Sequence, residues 1–104
     1  MKCPKKLNKL KLAFITGATK GIGRSTAITF ANAGWDLILL SRRIDLMEKL
    51  KSELETTKSK INLVKCDLSN PLEVENCVKK AIEKYGCPSV LINNAGCAFN
   101  GTLV

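Results

Sequence analysis

The sequence predicts an α/β fold: one parallel sheet with strand order 3-2-1-4 and helices on both faces. Three observations carry this. Short apolar runs alternate with longer segments of helical periodicity. The runs are apolar almost throughout, as strands covered on both faces are. A glycine-rich turn separates the first strand from the first helix. Right-handed crossovers and a sheet that winds outward from strand one give the order.

Lys11 to Thr16 is strand one and Ile22 to Ala33 is helix one, with Gly34 as its stop. Asp36 to Ser41 is strand two. Ile44 to Thr57 is helix two, whose stripe of Leu46, Met47, Leu50 and Leu54 faces the core. Ile61 to Cys66 is strand three. Asn70-Pro71-Leu72-Glu73 is a helix start: Asn as N-cap, Pro at the first position and Glu at the third. Helix three continues to Tyr85 and buries Val74, Cys77, Val78, Ala81, Ile82 and Tyr85; Gly86 and Pro88 end it. Ser89 to Asn93 is strand four, and Asn94 to Val104 reads as a loop.

At 104 residues and 45% hydrophobic the chain is one small domain, residues 11–104, preceded by a basic arm over residues 1–10. No apolar run approaches the roughly 20 residues of a membrane span, and none follows the basic arm as a signal core would. The formal net charge is +8, but the basic residues are dispersed and the few aromatics are not interleaved with them. That argues against a nucleic-acid partner and suits a polyanionic cofactor. Cys3, Cys66, Cys77, Cys87 and Cys97 show no CxxC spacing, and histidine is absent, so no metal site is expected. The five are expected to be reduced, in a cytoplasmic protein.

The chemistry lies in Thr16-Gly17-Ala18-Thr19-Lys20-Gly21-Ile22-Gly23. A glycine turn at a helix N-terminus offers unpaired N–H groups and about half a positive charge to a phosphate. Further along, Cys66-Asp67-Leu68 closes strand three and Asn93-Asn94-Ala95-Gly96 closes strand four. Together these motifs resemble the short-chain dehydrogenase/reductase family, over nearly the whole chain from Lys11 onward. The resemblance implies a partial Rossmann-like NAD(P)-binding domain. Gly17, Gly21 and Gly23, with Thr19 and Lys20 in the same turn, would wrap the pyrophosphate, and the Ile22 N–H would donate to it. Asp67 would accept from the adenine amino group with Leu68 beside it. Asn93 and Ala95 would line the ribose. Thr16, Asn94 and Gly96 would order the crevice, Gly96 being counted among the cofactor-binding residues as well.

The end of strand two chooses between cofactors. A carboxylate there would bind a free ribose 2′-hydroxyl and repel a 2′-phosphate. The residue is Ser41, followed by Arg42, whose guanidinium suits phosphate. Lys20 supplies a second cation, and Arg43 is either a third or merely solvated. NADP(H) is therefore expected over NAD(H).

The family's catalytic serine and Tyr-x-x-x-Lys have no counterpart. The one tyrosine, Tyr85, has Ser89 four positions on, and no catalytic residue is carried over. The chain resembles the first half of a member and is expected to stop after strand four. Strand four would then be an open edge, the helix-three face would show apolar surface, and the family's oligomer-forming helices would be absent. Three readings stay open: the cofactor-binding portion of an NADP(H)-dependent oxidoreductase whose small-molecule substrate is handled only by a longer parent, a free-standing nucleotide-binding module, or a non-functional remnant.

Overall fold

The computed structural model describes residues 11–94. Its elements run β1 (Leu12–Thr16), α1 (Gly21–Asn32), β2 (Asp36–Ser41), α2 (Ile44–Glu53), β3 (Ile61–Lys65), α3 (Pro71–Tyr85) and β4 (Val90–Asn93). The sheet is parallel throughout, in the order β3-β2-β1-β4. This is the Rossmann-like arrangement that the sequence predicts.

The period of two along β1 and β2 divides the core into two layers. Ala13, Ile15, Leu37 and Leu39 face Ala27 and Ala31 of α1 and Met47 and Leu50 of α2. Leu12, Phe14, Ile38 and Leu40 face Val74, Val78, Ala81 and Ile82 of α3. Because β1 and β2 are covered on both sides, their apolar runs have no polar alternation to show. β4 lies at the sheet edge, and its Val90, Leu91 and Ile92 are only half-buried.

Two helix ends show how local sequence fixes the frame. Past α1, Gly34 sits at φ +87° and donates its N–H to the Ala31 carbonyl at 3.0 Å, while Trp35 donates to Phe30 at 3.0 Å. That is a Schellman closure. Its hydrophobic contact is the Trp35 ring set edge-on to Phe30 at 5.0 Å. At the start of α3, Asn70 accepts from the N–H groups of Leu72 at 3.1 Å and Glu73 at 3.3 Å.

α2 ends at Glu53, short of the expected Thr57. The Thr57 N–H and hydroxyl both turn back onto the Leu54 carbonyl, at 3.0 and 2.7 Å. A threonine hydroxyl that takes a local carbonyl competes with helix continuation. Cys66 and Cys77 are free thiols. Cys87 is disulfide-bonded, which departs from the expectation of five reduced cysteines.

Candidate functional site

The carboxyl ends of β1, β2 and β3 form one rim, and the turn from β1 into α1 stands over it. Gly17 lies at φ +64° and donates its N–H to the Leu40 carbonyl at 3.1 Å, which pins the turn to β2. Gly21, at φ +53°, makes the second left-handed step into the helix. Gly23 is needed for space instead. A Cβ there would lie 2.2 Å from the Gly17 carbonyl oxygen, a backbone atom that cannot swing away.

The three helix starts differ in a way that marks α1. α3 has its Asn70 cap and Glu73 in the first turn, and α2 has Asp45 in its first turn. α1 has neither: its N-cap is Lys20, no side chain caps it, and its first turn holds no acid. Its opening N–H groups and its positive pole face the turn unneutralised. Ile22, an apolar residue 78% exposed, stands beside them.

The structure brings Thr19, Lys20, Ser41, Arg42, Asp67 and Leu68 together around one open cavity of about 270 Å³, with Arg43 and Ser69 completing the lining. Among the described residues Lys20 and Arg42 form no ion pair. Arg43 is spoken for: its Nε and Nη2 donate to Asp45 at 3.2 and 3.1 Å. That bond holds the Asp45 carboxyl below its ordinary range and raises the Arg43 guanidinium further. Ser41 is buried, and its Oγ accepts from the Arg43 N–H at 3.2 Å. Ser41 therefore shapes the turn that projects Arg42.

Asp67 is held from two sides. Its Oδ1 accepts from the Ser69 hydroxyl at 2.6 Å and the Ser69 N–H at 3.0 Å. Its own N–H donates to the Glu73 carboxylate. The Ser69 hydroxyl, then the Ser69 N–H and the nearby Arg42 charge lower the Asp67 pKa. Sequence reasoning missed Ser69 and this use of Glu73. The signal for Ser69 was present, since Asp-x-Ser invites an Asx turn. Glu73, third in the α3 start, reaches past Asn70 to Asp67.

At the other side of β1, Thr16 and Asn93 are register partners. The Thr16 hydroxyl donates to Asn93 Oδ1 and accepts from the Asn94 N–H at 3.1 Å. This is the ordering role expected of Thr16 and Asn94. Ala95 and Gly96 lie outside the described residues. Tyr85 sits at the far end of α3, packed on the core with the Lys84 amine 5.3 Å from its ring centre. The chain then re-enters the sheet with the Ser89 N–H on the Leu12 carbonyl, at the amino edge of β1. That is the end of the sheet opposite the glycine turn. Among the described residues no cluster of acidic, Cys or His side chains could hold a metal, and no helix is long and apolar enough to cross a membrane.

Comparison with known proteins agrees with this geometry. The family model described as short chain dehydrogenase matches residues 11–103. A farnesol dehydrogenase of Aedes aegypti is 39% identical over 87 residues, covering 83% of this chain and 36% of its own length. A sulfoacetaldehyde reductase of Chromohalobacter salexigens is 40% identical over 85 residues, covering 82% of this chain and 33% of its own. Among solved structures, L-sorbose reductase from Gluconobacter frateurii, complexed with NADPH and L-sorbose, superposes with a TM-score of 0.75 at 32% identity, over 88% of this chain and 35% of that one. An alcohol dehydrogenase from the archaeon Thermococcus sibiricus, complexed with 5-hydroxy-NADP, gives 0.73 at 34% identity, over 80% and 36%. The chain thus spans about a third of the length of these relatives. Turn, strand order and sequence agree across that third: the chain belongs to the short-chain dehydrogenase family.

Proposed function

We propose that this chain is the NADP(H)-holding portion of an oxidoreductase that moves a hydride between a nicotinamide and a carbonyl or alcohol carbon. The bare N-terminus of α1 beneath a glycine turn is the observation that carries the reading. Gly23 lets the Gly17 carbonyl close against the first turn of α1, which shapes the turn, and the Ile22 N–H lies among the opening donors. The cofactor supplies the hydride or accepts it. This chain's residues bind and orient: the turn takes the pyrophosphate, Asp67 and Leu68 take the adenine, and Asn93 faces the ribose.

Preference for the phosphorylated form rests on Arg42 and Lys20. Both border the cavity at the end of β2, where the serine replaces a carboxylate. NADPH and an NADP analogue accompany the two solved relatives above, which supports the reading. The 104 residues contribute no Tyr-x-x-x-Lys pair, so proton transfer to the substrate falls to groups other than those of this chain. Carbonyl turnover by the chain alone would contradict that.

Titration of NADPH and NADH by nicotinamide fluorescence, on wild type and Arg42→Asp, tests the cofactor assignment. Reversing the charge is expected to weaken NADPH by tenfold or more, roughly 1.4 kcal/mol at least, and to leave NADH near its original affinity. Equal or tighter NADPH binding by the variant would overturn the preference.

A further inference from the structure

Two cysteines, Cys66 and Cys77, share one core layer where β3 joins α3. Cys66 follows β3 and is 1% exposed, set in the core layer that α3 covers. Cys77 packs on the same layer from α3, and its Sγ lies 3.8 Å from the Lys65 carbonyl oxygen. Cys66 follows Lys65 directly in the chain, and neither cysteine is in a disulfide. Cys77 also lines a cavity of about 510 Å³ with Arg42, Lys65, Asp67 and Lys80, so small solutes reach it from solvent. One turn earlier on the same helix, Glu73 holds the Asp67 N–H. One stripe of α3 therefore holds the end of β3 at two points, the Lys65 carbonyl beside Cys66 by a thiol and Asp67 by a carboxylate.

We propose that Cys66 and Cys77 are an oxidant-sensitive dithiol that closes to a disulfide and fastens the Asp67 segment to α3. The oxidant class is a hydroperoxide. The Cys77 thiolate attacks one peroxide oxygen, the O–O bond breaks, and hydroxide leaves to become water. Cys77 is then a sulfenic acid. Cys66 gives up its proton as its sulfur attacks Cys77 Sγ; the S–S bond forms, the S–O bond breaks, and a second water leaves. Two thiols are oxidised and one hydrogen peroxide is reduced to two waters. Burial above all, then the Cys77 contact and the charges of Cys77, Glu73 and Asp67, push the Cys66 thiol up to about 12. Cys66 is thus a protonated resolving partner and not the first to react. The sulfurs must close to about 2.05 Å. Ladder hydrogen bonds hold β3, so the segment after it takes up the shift. On the proposed adenine role of Asp67, closure weakens cofactor binding.

The test treats the full chain with hydrogen peroxide, blocks remaining thiols with iodoacetamide, and maps linked peptides by mass spectrometry. The expected product joins the Cys66 and Cys77 peptides, disappears with dithiothreitol, and is missing in Cys77→Ser and in Cys66→Ala. Phenylarsine oxide, which bridges adjacent thiols, should protect both cysteines of the reduced wild type from iodoacetamide. Independent alkylation of both after oxidation, or pairing only with other cysteines, overturns the proposal. NADPH affinity is measured on the same samples, with oxidised Cys77→Ser as control, and a loss of about threefold or more is expected in the linked wild type alone. A linked pair with unchanged affinity refutes the effect on Asp67. If the reduced chain binds no NADPH, the cofactor reading fails while the linked peptide still decides the dithiol.

Discussion

The Thr16 hydroxyl lies 2.9 Å from Asn93 Oδ1, joining the last residue of β1 to the last residue of β4. The same oxygen accepts the Asn94 N–H, so one buried hydroxyl spends both its donor and an acceptor on the edge strand. Thr16→Val keeps the shape and removes both bonds. A loss of about 0.5–1.5 kcal/mol per bond is expected, since the exposed Asn93 and Asn94 groups return to water. Urea unfolding measures it, and hydrogen exchange should show the loosening concentrated in β4. A variant as stable as wild type would mean that water replaces both bonds.

The glycines of the turn should fail in different ways. Gly23→Ala places a methyl against the Gly17 carbonyl and must displace the turn, costing about 1–3 kcal/mol or more. Gly21→Ala meets open space and costs only its left-handed backbone, about 1 kcal/mol. Thermal melts of the two variants give the order. Similar melting temperatures would refute the close contact at Gly23.

Asn70→Ala removes an acceptor shared by two N–H groups at the start of α3, and about 1 kcal/mol should go with it. Asn70→Asp retains the acceptor and adds charge at the helix's positive pole, so it should hold or gain stability. Chemical denaturation of the pair decides; a stable Asn70→Ala would show that the Pro71 start suffices alone.

Asp67 gives a pH signature. Its carboxyl is lowered in the folded chain, chiefly by the Ser69 hydroxyl. A lowered acid stabilises fully above its unfolded value, near 3.9, and the gain is lost as pH falls through the folded value. The stability gap between wild type and Ser69→Ala should therefore be constant near neutrality and shrink below about pH 4. Urea midpoints across that range report it. A gap that stays level into strong acid would detach Ser69 from the Asp67 charge.

Arg42 and Arg43 adjoin in sequence but differ in availability. Arg43 is paired with Asp45, whereas Arg42 is unpaired among the described residues. Arg43→Ala should leave NADPH affinity within about twofold, and Arg42→Ala should reduce it about tenfold. Isothermal titration separates them, and equal losses would show that Arg43 leaves Asp45 to reach the ligand.

These contrasts show what the sequence made legible. Strand order, both core layers and the α3 face follow from periodicity, because burying apolar side chains is a local pattern repeated many times. The glycine turn was legible through spacing. The Arg43–Asp45 pairing and the Glu73 reach to Asp67 were not, since each depends on where a long side chain goes after the backbone is set. The shared layer of Cys66 and Cys77 was hidden for another reason. Each reads as a small apolar residue on its own element, and only the packing of α3 on the sheet puts both in one core layer.

The uncapped start of α1 has a consequence for folding itself. A chain that leaves its first helix without a capping side chain makes that helix's stability a function of what binds there. Any dianion seated on those N–H groups in the native state, and absent from the unfolded one, shifts the folding equilibrium by mass action, by about 2.7 kcal/mol at a hundred times its dissociation constant. On the cofactor role proposed above, dinucleotide concentration would then set how much of the population is folded.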